Sequence, residues 1–207
     1  MTDPVLDAQR RSARYWNVDG LSELAVGLQV LLVPLFLYGV AETSRGSAGR
    51  VAVVLALAAG LPLAALFSRR IVIAIRKRFT YPRTGFVTYR PAPAQAWLLG
   101  VALAVGLVAL FLVLRGLTAN WVAWLFVVQG IVPGSLLVYF GRVVGLPRFE
   151  AIGVIQALLG VALAVATPGL TRGMMIYWTV MGLVFILSGT WTLLRYYRAH
   201  PHAAEVM

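Results

Sequence analysis

The sequence has no cysteine, little charge and only two histidines. The absence of cysteine excludes disulfides, thiol catalysis and cysteine-ligated metal sites. Both histidines, His200 and His202, lie near the C-terminus, which excludes a His-metal site or a Ser-His dyad among the apolar segments. No H-E-x-x-H, G-x-S-x-G or P-loop pattern occurs. The sequence therefore predicts no metal and no cofactor.

What the sequence has in excess is apolar residues, which make up 60% of its 207 residues. Soluble domains are about 45–50% apolar and about 25% charged, whereas only 12% of this chain is charged. A bilayer is the solvent that suits such a chain. The net charge of +11 does not indicate a nucleic-acid partner, because the basic residues stand between apolar runs rather than on a solvated domain.

The apolar residues fall into six runs, each about 18 residues or longer. At about 1.5 Å per residue, a helix of that length crosses a hydrocarbon layer of about 30 Å. Helices also satisfy their own backbone hydrogen bonds in lipid. The sequence therefore predicts an all-α transmembrane protein, a six-helix bundle of three helical hairpins. Its helices are expected at 21–41, 51–75, 95–114, 121–140, 149–166 and 174–194.

The distribution of lysine and arginine predicts how the chain sits in the membrane. Fourteen of the 18 basic residues fall on the side of the two termini and 4 on the other side. The positive-inside rule then predicts that both termini are cytoplasmic. The expected parts are a cytoplasmic segment 1–20, a transmembrane domain 21–195 that includes a basic cytoplasmic loop 69–93, and a cytoplasmic tail 196–207.

The basic loop is the most elaborate connection in the chain. β-prone residues flank a turn between Pro82 and Gly85, a pattern that favours a short β-hairpin. Basic residues interleaved with aromatics suit an anionic lipid surface, at about 1 kcal/mol per residue. The alternative is a topology anchor without a binding role. The predicted lipid- or partner-binding residues are Arg69, Arg70, Arg76, Lys77, Arg78, Arg83 and Arg90.

Two short motifs carry a resemblance to a known group of proteins. One is YWNVDG at residues 15–20, before the first helix, and the other is TYPRTG at residues 80–85 in the basic loop. The first half of the chain resembles uncharacterised bacterial polytopic membrane proteins with a TYPRTG-type cytoplasmic loop. The resemblance implies a multi-pass protein of a bacterial plasma membrane and no known activity.

Polar residues at the membrane ends of two predicted helices form a candidate buried site: Asp19, Glu23, Glu150 and Gln156. Asp19 and Glu150 stand at helix N-termini, where the helix dipole stabilises a carboxylate. Glu23 lies deeper and needs a partner, so it is either half of a structural ion pair or a functional residue. The expected partners of Glu23 are Arg14, Arg69 and Arg70.

Small residues spaced four apart predict close helix packing, because lipid supplies no hydrophobic drive for helix association. The longest such stripe consists of Ala52, Ala56, Gly60, Ala64 and Ser68. It packs the bundle or docks a helix of a partner. A weak internal repeat also relates residues 20–27 to residues 153–160, with Glu23 aligned to Gln156.

Three functions fit these features. The first is a non-enzymatic accessory subunit or lipid-interacting scaffold that uses the basic loop, with anionic lipids, a membrane protein or a second copy as partner. The second is a small-solute transporter, or a substrate-binding membrane subunit of one. The third is a membrane-embedded lipid-modifying enzyme, which requires the carboxylates to converge near the loop.

Overall fold

The computed structural model describes residues 17–43, 68, 70–76 and 119–199, and all the regular structure in these residues is helical. Four helices are long: α1 (Leu21–Thr43), α2 (Trp121–Val144), α3 (Pro147–Ala166) and α4 (Leu170–Ala199). Residues 70–76 form a further short helical segment. Each long helix is long and apolar enough to cross a membrane. The chain is thus a multi-pass membrane protein by length and composition, as its apolar content predicts.

The prediction of a six-helix bundle with a β-hairpin is wrong for this structure. Across residues 17–43, 68, 70–76 and 119–199, four helices qualify as membrane spans and no strand is present. Most of the predicted span 51–75, and all of the span 95–114 and of the proposed hairpin around Pro82 and Gly85, lie outside the described residues. Apolar length by itself does not determine which runs of a sequence form separate helices.

The predicted hairpin of the last two helices, 149–166 with 174–194, is also wrong. The two extensive helix contacts join α2 to α3 and α1 to α4, whereas α3 and α4 touch only briefly although they follow one another. The turn between α2 and α3 is very short. Gly145 ends α2 in a left-handed conformation (φ 74°), and Pro147 opens α3. A glycine at the helix end and a proline at the first helical position are each suited to their places.

Glycines decide which helices pair. A Cβ placed on Gly130 of α2 would lie 2.8 Å from the Cα of Gly160 in α3, and one on Gly134 would lie 2.6 Å from the carbonyl oxygen of Gly153. These backbones therefore touch directly, as in small-residue packing between membrane helices. Short connections do not require helices to pair, whereas matching glycine faces allow the closest approach.

The same packing joins α1 to α4. A Cβ on Gly27 would lie 2.9 Å from the carbonyl oxygen of Gly182, and one on Gly189 would lie 2.8 Å from that of Gly20. The two segments of the predicted repeat, 20–27 and 153–160, thus have the same role, since each presents two glycines seven residues apart to an antiparallel helix. That the segments are a true duplication stays a prediction.

The two helix pairs meet around a small apolar core. Phe126 of α2 and Tyr177 and Met181 of α4 are buried there, and the Phe126 ring packs on Gly173. The outer faces remain strongly apolar: Leu158 is 65% exposed and Val165 is 80% exposed. Large exposed apolar side chains over whole helix faces are what a lipid-facing surface requires.

Candidate functional site

The end of the bundle that holds the N-termini of α1 and α3 contains a group of four charged residues, of which three are buried and one, Arg148, has a side chain that is 22% exposed. We call this the arginine-rich end, and we call Asp19, Glu23, Arg76 and Arg148 the charged cluster. Asp19 and Glu23 are each 2% exposed. Buried charges persist only where they are paired and hydrogen-bonded, so the partners of each carboxylate decide what the cluster can do.

Asp19 forms a two-point ion pair with Arg76. Arg76 donates from Nε to Oδ2 at 2.6 Å and from Nη2 to Oδ1 at 2.8 Å, and Nη2 also donates to the Ser22 hydroxyl at 2.9 Å. Asp19 Oδ1 additionally accepts from the backbone N–H of Leu21, in the first turn of α1, at 3.2 Å. One carboxylate therefore both caps α1 and fixes the end of the helical segment 70–76 against it.

Glu23 lies one turn deeper and pairs with Arg148. Its Oε1 is 2.7 Å from Arg148 Nε, and its Oε2 accepts a hydrogen bond from the Ser188 hydroxyl at 2.5 Å. Arg148 also donates to the Thr192 hydroxyl at 3.1 Å and to the carbonyl of Asn17. Arg148 of α3 thus binds groups on α1, on α4 and on the segment before α1. It links the α2–α3 pair to the α1–α4 pair.

The charged cluster is electrically balanced, with two carboxylates and two guanidinium groups. Each carboxylate binds an arginine and at least one further donor. Within the part of the chain that the structure describes, no group of three or more potential metal ligands occurs. Through its ion pairs and hydrogen bonds the cluster links α1, α3, α4 and the helical segment 70–76.

The partner of Glu23 differs from the sequence-based expectation. The expected partners were Arg14, Arg69 and Arg70. Arg70 is exposed, and the other two lie outside the described residues. The residue missed was Arg148. The signal available in the sequence was that Arg148 directly follows Pro147 and so lies in the first turn of a helix. That turn extends inward from the membrane edge.

The other predicted buried polar residues do not join the cluster. Glu150 pairs with Arg142 at 3.5 Å, on a surface where the Arg142 side chain is 73% exposed. Gln156 lies midway along α3, far from either end of the helix. Of the four predicted residues, the structure therefore brings only Asp19 and Glu23 together.

The predicted basic loop is only partly described. Arg70 is exposed, and Arg76 is the buried partner of Asp19. The other loop residues lie outside the described residues: Arg69, Lys77, Arg78, Arg83 and Arg90. The same holds for Ala52, Ala56, Gly60 and Ala64 of the predicted packing stripe. Its last member, Ser68, accepts a hydrogen bond from Gln29 of α1 at 2.5 Å. Lipid or partner binding by the loop stays a prediction.

A second polar group lies in the middle of the bundle. The Tyr177 hydroxyl of α4 accepts from Gln156 Nε2 at 3.0 Å and donates to the backbone carbonyl of Gln129 in α2 at 2.7 Å. Tyr177 is completely buried. Sequence reasoning identified Gln156 but missed Tyr177.

Comparison with protein-family models, curated proteins and solved structures found no match for this chain. Function must therefore be argued from the geometry of the charged cluster and of its surroundings.

Proposed function

We propose that this chain is a non-enzymatic integral membrane protein of a bacterial plasma membrane, an accessory protein that holds anionic phospholipids through its basic loop. The observation that carries the proposal is the buried two-point ion pair between Asp19 and Arg76. In this proposal the arginine-rich end faces the cytoplasm, in keeping with the resemblance to bacterial proteins with a TYPRTG-type loop.

The ion pair supports a positioned loop rather than a mere topology anchor. An arginine that only orients a membrane protein needs to stand in water or among headgroups. Arg76 instead is buried, and its side chain is 3% exposed. Burying such a pair contributes little net stability, but it fixes geometry. Lys77 and Arg78 follow this fixed residue directly in the sequence.

An apolar groove beside Arg76 supports a lipid as the bound partner. It lies between α1 and the helical segment 70–76 and has a volume of about 490 Å³, within the usual range of about 300–1,000 Å³ for ligand sites. Ile75, next to Arg76, lines one end. A phospholipid has the matching form, with apolar chains below an anionic headgroup. The other lining residues are Leu21, Leu24, Ala25, Leu28, Gln29, Leu32, Ser68, Ile71 and Val72.

The burial of Asp19 and Glu23 and their pairing with arginines support the proposal that the protein is not an enzyme. A lipid-modifying enzyme would need at least one carboxylate directed at a lipid-accessible cleft. Asp19 and Glu23 are instead buried and bound to arginines. Glu150 stands apart from both, in its exposed pair with Arg142.

Neutralising the two basic residues after Arg76 is expected to weaken the binding of anionic lipid. At about 1 kcal/mol per basic residue, the double variant Lys77→Gln/Arg78→Gln should bind a fluorescent phosphatidylglycerol about 30-fold more weakly in detergent micelles. The control is Arg172→Gln, an exposed arginine at the opposite end of the bundle. Equal affinity in the double variant and in the wild type, or an equal loss in the control, would refute the proposal.

The proposed orientation has its own test, which the absence of cysteine makes simple. A cysteine at Thr84, in the basic loop, should react with a membrane-impermeant maleimide only after the cells are opened. A cysteine at Thr171, exposed in the first turn of α4, should react in intact cells. The reverse labelling pattern would show that the proposed orientation is wrong and that the loop lies outside the cytoplasm.

A further inference from the structure

A proline creates a polar position in the middle of the bundle. Pro133 lies inside α2 and has no backbone N–H. The carbonyl of Gln129, four residues earlier, therefore lacks its helical donor. The Tyr177 hydroxyl of α4 replaces that donor at 2.7 Å. Membrane helices tolerate internal prolines where a neighbouring helix supplies such a bond.

This bond determines how the Gln156 amide is oriented. A tyrosine hydroxyl has one proton, and Tyr177 gives it to the Gln129 carbonyl. The same hydroxyl can then only accept from Gln156, so the amide presents its NH₂ group at 3.0 Å. Gln156 Oε1 must point elsewhere. The hydrogen bonds therefore run from the Gln156 amide through the Tyr177 hydroxyl to the Gln129 carbonyl of α2, and we call these two bonds the relay.

Two polar atoms beside this relay have no protein partner. Gln156 Oε1 is buried, in a residue that is 7% exposed, and Gln129 Nε2 is buried as well. Within the described residues, neither atom forms a hydrogen bond. One is an acceptor and the other a donor. Gln129 and Gln156 lie at the same level of the bundle, because a Cβ on Gly130, next to Gln129, would be 2.9 Å from the backbone carbonyl oxygen of Gln156. Both residues also bind the same Tyr177 hydroxyl, one through its backbone carbonyl and the other through its side-chain amide.

We propose that these two atoms bind one small neutral molecule that both donates and accepts a hydrogen bond. A buried polar atom without a partner is strongly unfavourable inside a membrane, and a ligand with both functions satisfies the two at once. Water and the amide end of a small organic solute share this chemistry. The ligand is small because the backbones of Gly130 and Gly160 touch beside the site. It is neutral because no ionised side chain belongs to the relay described here.

The variant Gln129→Leu tests this site. It removes the side-chain amide of Gln129 but keeps the backbone carbonyl that Tyr177 binds. The matched control is Gln29→Leu, in which the lost amide belongs to a hydrogen bond with Ser68 on another face of the protein. The probe is acetamide, and the measurement is the midpoint of thermal unfolding of the full chain in detergent micelles, with and without acetamide.

An organic solute site predicts that acetamide raises the unfolding midpoint of the wild type and of Gln29→Leu. Gln129→Leu should then bind acetamide about tenfold more weakly, the effect of one lost hydrogen bond of about 1.4 kcal/mol. A water site predicts no response to acetamide, with Gln129→Leu melting below the wild type because the water loses a partner.

A dry site would overturn the proposal. Gln129→Leu would then melt at or above the wild-type midpoint, since removing an unsatisfied donor relieves its penalty, and acetamide would have no effect on any variant. Tyr177→Phe provides a second variant should Gln129→Leu fail to fold. Without the hydroxyl, the Gln156 amide can rotate, and the acetamide response should fall; an unchanged response would likewise count against an organic solute site.

Discussion

Replacing Arg148 with methionine is expected to lower the free energy of unfolding by about 3–5 kcal/mol. The substitution keeps a long apolar side chain but leaves Glu23 buried without its cation, and Glu23 is only 2% exposed. It also removes the donors to Thr192 and to the carbonyl of Asn17. The measurement is the unfolding of the full chain by a denaturing detergent in mixed micelles, followed by tryptophan fluorescence.

The matched control is Arg142→Met, on the same hairpin. Arg142 also pairs with a glutamate, but its side chain is 73% exposed and the distance is 3.5 Å. Exposed pairs contribute about 0–1 kcal/mol, so this variant should remain close to the wild type. If Arg148→Met lost no more stability than Arg142→Met, the charged cluster would not be what joins the two helix pairs.

A double variant separates the loss of the pair from the exposure of a single charge. Glu23→Gln/Arg148→Met removes both charges and leaves a neutral amide that can still accept from Ser188. Removing both members of a buried pair is commonly far less damaging than removing one. We therefore expect the double variant to recover most of the stability lost in Arg148→Met. Additive losses would mean that the two residues act independently.

Replacing Gly160 with valine is expected to destabilise the α2–α3 pair by about 3 kcal/mol. A Cβ at this position would lie 2.5 Å from the carbonyl oxygen of Phe126 and 2.7 Å from the Cα of Gly130. Both obstacles are backbone atoms, so the helices would have to separate rather than a side chain rotate. The same detergent titration measures the loss.

The control for Gly160 is the same substitution at Gly39 of α1. No atom lies within 4 Å of a Cβ placed on Gly39, so Gly39→Val keeps the change in helix propensity without the collision. The difference between the two variants isolates the packing effect. If Gly160→Val and Gly39→Val proved equally stable, close contact between α2 and α3 would not hold in the membrane protein.

Only the two carboxylates of the charged cluster could be identified as a site from the sequence. Asp19 and Glu23 stood out because a carboxylate near an apolar run is unfavourable without a partner. The arginines that pair with these carboxylates could not be identified in the same way, because the sequence predicts many arginines at this end of the bundle. Arg148 reaches Glu23 only because α3 and α1 begin at the same end of the bundle, and that depends on helix packing distant in sequence from both residues.

The sequence by itself determined that this protein lies in a membrane and consists of helices. Its apolar runs and scarce charge require helices in a membrane, and its glycines predict close helix contacts. Only the tertiary structure decided which helices meet. Pairing α2 with α3 and α1 with α4 depends on matching glycine faces in three dimensions. The meeting of Tyr177 with the carbonyl that Pro133 leaves without a donor depends on the same packing. The periodicity of a sequence shows which face of a helix carries small or polar residues. It does not show which face of another helix packs against it.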